Sequence, residues 1–193
     1  MKQLGLAPDR VTSLPQEFTL WDVDHKNSVV GFSIEQHNLV STPFRPITGR
    51  FLVYAGAIKA LSDDFSDARI NFTVIVGSID SGNHKRDRHL RSSTFFDVQK
   101  FPEIKFASIA FVQGEENRFV LEGNLTIRNI TRRVVFDAIP RLKENRDVQS
   151  AKFTITGTIN RLDFHLTGGA LGEIFIGKDV TISLELEFLK QRA

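Results

Sequence analysis

Cysteine is absent from this 193-residue chain, and methionine, tryptophan and tyrosine occur once each. Without cysteine there is no disulfide staple, no thiol nucleophile and no thiolate metal cage, while the compartment stays open. No apolar run approaches the length of a membrane span. Residues 1–20 hold no apolar export core and no small-residue cleavage site, with Pro8 and Pro15 interrupting them, so the sequence reads as cytoplasmic. A periplasmic location would follow if the N-terminus is processed or missing. The net charge of +2 gives no general reason to bind a polyanion. The histidines do not cluster in the sequence. His84 and His89 are misaligned for one helix face, and no His-Glu-x-x-His motif occurs. Neither a metal nor a cofactor is expected. The carboxylates Asp22, Asp24, Asp80, Asp97 and Asp163 lie beside turns, where aspartate caps backbone amides, and do not read as a catalytic pair.

What the chain does have is phenylalanine, 17 of them in a composition that is 41% hydrophobic. Phenylalanine buries a large area and needs no hydrogen-bond partner. A chain this rich in it either packs two sheets tightly or lines an apolar cavity. Period-2 alternation runs through most of the sequence. Val30, Phe32 and Ile34 share a face, as do Gly49, Phe51 and Val53, and then Ile70, Phe72, Val74 and Val76. Ile104, Phe106, Ser108 and Ala110 follow, then Phe119, Leu121, Gly123, Leu125 and Ile127, then Val134, Phe136 and Ala138. Phe153, Ile155, Gly157 and Ile159 alternate with threonines, and Val180 to Phe188 closes the series. About eight strands with one polar face each indicate an antiparallel sheet. Closed on itself, such a sheet is an up-and-down barrel that can hold a small ligand. Gly49, Gly123 and Gly157 fall on the apolar face, which reads as strand curvature or as space kept inside. The domain is expected over 21–193, with 1–20 as an N-terminal arm.

Between two of these strands lies a polar connector. Asn83 to Ser93 predicts a short helix with Asn83 as N-cap, and it carries Lys85, Arg86, Arg88 and Arg91 against Asp87. These cations are either a solvated helix face or a grip on a phosphate. Nucleic acid is not expected, because no further basic stripe interleaves with exposed aromatics. Phe95, Phe96 and Phe101 come next, as an end plug or as contacts to an amphipathic ligand. His37 is a polar strand end or a head-group contact at the barrel mouth.

Eight short motifs stand out: Trp21-Asp22-Val23-Asp24 with Ser28, Gly49-Arg50-Phe51, Gly77 to Asn83, Arg86-Asp87-Arg88-His89-Leu90, Phe95-Phe96-Asp97, Pro102 to Ser108, Gly123 to Arg128 and Ile159 to Phe164. Together they make the chain resemble the YceI-like family of polyisoprenoid-binding, lipocalin-like barrels, from Trp21 to about Phe188. The resemblance implies an all-β fold, an extended eight-stranded antiparallel lipocalin-like barrel with a short helix at the rim. It implies a soluble bacterial protein that binds a long isoprenoid, an isoprenoid quinone or another amphiphilic lipid in an apolar tunnel. It implies no enzymatic reaction and often a homodimer, and transient membrane contact is compatible with it. Taken with the alternation, it points to Phe32, Ile34, Phe51, Phe72, Val74, Phe106, Leu121, Leu125, Phe153 and Ile155 as the ligand-facing wall, and to His37, Arg86, Arg88 and Arg91 at the polar head. Two other readings remain: a structural or stress barrel filled by its own phenylalanines, and an enzyme with an apolar substrate cavity. Asn27, Asn129 and His165 stand where the family usually has histidine, glycine and glycine.

Overall fold

The computed structural model describes residues 17–36, 46–62, 65–114, 118–145, 148–169 and 176–191. The strands are β1 (Thr19–Val23), β2 (Val29–Gln36), β3 (Ile47–Phe51), β4 (Tyr54–Ala60), β5 (Arg69–Ile75), β6 (Ile79–Asp80), β7 (Glu103–Gln113), β8 (Phe119–Ile127), β9 (Ile130–Asn145), β10 (Val148–Asn160) and β11 (Ile176–Lys190). One helix, α1 (His84–Arg91), lies between β6 and β7. Every strand pairing is antiparallel. The alternating strands have formed because each can put one face of apolar side chains inside while its threonines, lysines and glutamates stay wet.

Eleven strands make an eight-stranded closed barrel because three of the staves are interrupted, β1–β2, β3–β4 and β5–β6, the last by a single 3-10 turn at Val76–Ser78. β2 and β3 form a hairpin, and β1 and β4 continue its two arms beyond breaks at 24–28 and 52–53. β1 pairs with both β4 and β11, and that double pairing closes the cylinder. At the first break Ser28 keeps the ladder satisfied. Its Oγ accepts from the Glu187 amide at 2.9 Å and donates to the Glu187 carbonyl at 3.4 Å. The Asp24 amide reaches the same carbonyl at 2.7 Å. Tyr54 Oη donates to the Ser28 carbonyl at 2.8 Å. Burial and the nearby Asp24 carboxylate push this phenol's pKa up, so it remains a donor.

The expected face of β7 is corrected halfway along. The β7–β8 register shifts between Ser108 and Ala110, so a bulge inserts one residue. Beyond it the inward position passes from Ala110 to Phe111, which is buried, while Ile109 is half exposed. The helix is shorter than Asn83–Ser93 but capped as expected, with Asn83 Oδ1 accepting from the amides of Lys85 and Arg86 at 3.0 and 3.1 Å. The two-residue β8–β9 turn takes its left-handed residue at Arg128, φ 58°, not at Asn129, and His165 is also left-handed at φ 55°. Arg128 Nη1 donates to the His165 carbonyl at 3.2 Å, so the turn that holds Asn129 is tied to His165 through its neighbour.

The end away from α1 is packed with rings. Phe65 lies 5.2 Å from Trp21 and 5.5 Å from Phe153, and Phe153 stands edge-on to Phe111 and Phe188 at 6.0 and 5.9 Å. Phe111 stacks on Phe119 at 4.5 Å. All six side chains are buried.

The closure can be tested at Ser28. Ser28→Ala leaves the part-buried Glu187 amide without its acceptor, and should cost about 1–3 kcal/mol in denaturant unfolding. A loss within about 0.5 kcal/mol, the usual range for an uninvolved surface change, would show that the break does not depend on this hydroxyl.

Candidate functional site

Above the ring plug the barrel is hollow. The cavity measures about 210 Å³. A single water needs about 10–15 Å³ of such space, so this is room for many waters and not a packing defect. The barrel's own rings therefore do not fill it.

Most of the sequence-derived wall borders this space. Phe32, Ile34, Phe51, Phe72, Val74, Phe106, Leu121, Leu125 and Ile155 line it. Phe153 does not, because it sits lower, inside the plug. Alternation says that Phe153 points inward but not how deep it lies. Phe95 and Phe96 pack on each other at 5.1 Å and border the cavity, whereas Phe101 lies under the Arg128 guanidinium at 5.3 Å. Further lining residues, Ile70, Phe136 and Ile182 among them, belong to the same alternating faces. His37 lies outside the described residues.

The basic residues bordering the cavity are Arg86 and His89 on α1, and Arg161 after β10. His89 is exposed and also borders the cavity. Its ring is 6.3 Å from Phe95.

The basic helix divides its cations between jobs. Arg91 sends Nε to the Gly77 carbonyl at 2.8 Å and Nη2 to the Ile79 carbonyl at 2.5 Å, tying the last turn of α1 to the segment before it. Asp87 is buried and accepts from the Ser81 amide at 3.0 Å and from Ser81 Oγ. Arg86 gives Nε to Ser81 Oγ at 2.8 Å and Nη2 to the Ser81 carbonyl at 2.6 Å. Its Nη1 has no hydrogen-bond acceptor among the described residues. Arg88 is exposed, does not border the cavity, and makes no hydrogen bond or ion pair among the described residues. Of the three arginines expected at a polar head, the structure brings Arg86 alone to the cavity.

In the sequence Arg161 stands only within the Ile159–Phe164 motif and without a role, because a cation in a polar turn reads as solvated. It is 2% exposed. Its Nε donates to the Gly177 carbonyl at 2.8 Å, Nη1 to the carbonyls of Leu166 and Thr167, and Nη2 to that of Ile176 at 3.0 Å. A buried guanidinium is tolerated only when its donors are met, and here they stitch the chain after β10 to the start of β11. Among the described residues no three His, Cys, Asp or Glu groups stand together as metal ligands. Asp24 and Asp80 cap local turns through the amides of Lys26 and Gly82, each at 3.0 Å.

A closed antiparallel barrel with a hydrocarbon interior and a basic rim is the architecture of a container for apolar molecules. The family model of the YceI-like domain matches residues 21–188, and the chain belongs to that family. A UPF0312 protein of Staphylococcus aureus is 32% identical over 176 residues, covering 88% of this chain and 97% of its own. A UPF0312 protein of Photorhabdus laumondii is 28% identical over 167 residues, 85% and 83% of the two chains. Among solved structures, BcnA of Burkholderia cenocepacia superposes with a TM-score of 0.73 at 21% identity, over 86% of this chain and 99% of that one. A polyisoprenoid-binding domain from Saccharophagus degradans gives 0.63 at 14% identity, over 89% and 98%. At these identities the superpositions establish the fold.

The division of labour among the arginines has a direct consequence. Arg91→Gln should lower unfolding free energy by about 1.5–3 kcal/mol, the range for hydrogen bonds to a charged group. Arg88→Gln should stay within about 0.5 kcal/mol of the parent. Denaturant titrations of the two variants check this, and equal effects would contradict the assignment.

Proposed function

We propose that this protein binds a long-chain isoprenoid or a similar amphiphilic lipid, to carry, store or sequester it, with the tail in the cavity and the polar head beside Arg86 and His89, and that it catalyses no reaction. The observation that carries this reading is the cavity itself: about 210 Å³ walled by aliphatic and aromatic side chains, with basic groups at its border. The relation to a fold neighbour described as polyisoprenoid-binding supports the isoprenoid form of the reading.

The energetics say where selectivity would come from. Each isoprene unit removed from water is worth roughly 4 kcal/mol, at about 0.8 kcal/mol per carbon. Association costs on the order of 4–15 kcal/mol, so a few enclosed units suffice for micromolar affinity against water. A bilayer shelters the same tail equally well. Exchange with a membrane therefore turns on cavity shape and on the head group, and the unoccupied Arg86 Nη1 donors favour a head rich in acceptors.

Native mass spectrometry of the purified protein, followed by organic extraction, should reveal a stoichiometric lipid-sized mass. A clean apo mass in repeated preparations, with no shift on adding a quinone or a polyprenyl phosphate, would overturn the proposal. The head-group assignment has its own measure. Arg86→Gln should weaken binding of farnesyl phosphate several-fold more than that of farnesol, since a hydrogen bond to a charged group is worth about 1.5–3 kcal/mol, and Arg88→Gln should do neither. Equal losses for both ligands would remove Arg86 from the site.

A further inference from the structure

One pattern recurs around the whole barrel. In each of the hairpins β2/β3, β4/β5, β7/β8 and β9/β10, an inward-facing glycine on one strand is covered by a phenylalanine ring from its partner strand. A Cβ built on Gly49 would lie 2.4 Å from Phe32 Cζ, and one on Gly56 2.2 Å from Phe72 Cδ2. On Gly123 it would lie 2.3 Å from Phe106 Cζ, and on Gly157 2.4 Å from Phe136 Cδ1. Real Cβ contacts of that length do not occur. All four rings line the cavity, while the four glycines behind them do not.

Backbone geometry does not explain these glycines. Among the described residues the glycines with positive φ are Gly82, Gly168 and Gly169, all in connections. The strand register runs unbroken through Gly49 and Gly56. What each glycine supplies is the absence of a side chain, and a ring uses that absence to lie against the wall. Any side chain there would push the ring off the wall, and the free direction is the lumen.

We propose that the four glycine–phenylalanine pairs set the bore of the cavity and so decide the cross-section of tail that it admits, with methyl-branched chains more sensitive to it than straight ones. The cross-section part of this inference rests on the lipid reading above; the bore does not. Gly49 and Gly56 are the cleanest positions, because the three nearest atoms to an added Cβ all belong to one ring, Phe32 or Phe72, whereas Gly123 also faces the Ala107 carbonyl at 2.7 Å; the test uses Gly49.

The test uses the full chain with Gly49→Ala, Gly49→Ala/Phe32→Leu and Phe32→Leu. Xenon uptake in pressurised crystals reads the bore without any lipid. Calorimetry with geranylgeraniol and with hexadecanol reads the tail. Gly49→Ala should take up less xenon and bind geranylgeraniol about tenfold more weakly or worse, within the 10–200-fold that one methylene is worth in an apolar pocket. Hexadecanol should lose less, and the double variant should regain both ligands. Phe32→Leu alone should take up more xenon, which keeps the test decisive if Gly49→Ala does not fold. Xenon uptake unchanged in every variant that folds would overturn the proposal, even if the parent binds both alcohols. Parent protein that binds neither alcohol while its xenon uptake follows the substitutions would sink the lipid reading and leave the bore assignment standing.

Discussion

Closure of the sheet is the constraint on which everything else rests. A closed antiparallel cylinder satisfies its strand backbone groups internally and has an inside of nearly fixed width. The chain reaches closure with bent staves, β1–β2 against β3–β4, and the β1–β11 pairing completes the circle. Bending a strand breaks its ladder, and Ser28, Tyr54 and the Asp24 amide meet the groups left over. Once the width is set, inward side chains can only fill the space or lie flat against it. This protein does the first at one end with six rings and the second at the other with four.

Much of this was legible in the residues. Alternation marks a half-buried strand because successive side chains leave opposite faces, so the antiparallel barrel and most of the cavity wall followed from period 2 alone. Depth along the barrel does not follow, since Phe136 and Phe153 obey the same rule and end in different surroundings. The β7 bulge was hidden because Ile109, Ala110 and Phe111 are all apolar, so the pattern reads equally well in either phase. Gly49, Gly123 and Gly157 stood out on the inward face, but the rings covering them are set by cross-strand register, which one strand's sequence does not contain. Gly56, in a run of small residues, gave no contrast at all.

The basic segment shows how charge type and charge role separate. Arg86, Arg88 and Arg91 are alike in sequence, and each has a different fate: one at the cavity with donors to spare, one in solvent, one committed to backbone carbonyls. Guanidinium groups suit the last task because their fork reaches two acceptors at once. Arg161 carries the same use to its limit, buried against the carbonyls of Thr167, Ile176 and Gly177. Electrostatics at this end of the molecule is thus largely structural, and the cationic surface left for a ligand is small.

The aromatic plug bears on traffic. If the cavity holds the proposed lipid and the plug leaves only the α1 end open, the contents leave by the route through which they came. An incoming chain cannot push out the resident one from behind. Replacement therefore proceeds by departure first and arrival second, and at saturation its pace is that of departure, whatever the concentration of the newcomer. A slender cargo held this way is metered by how long it stays.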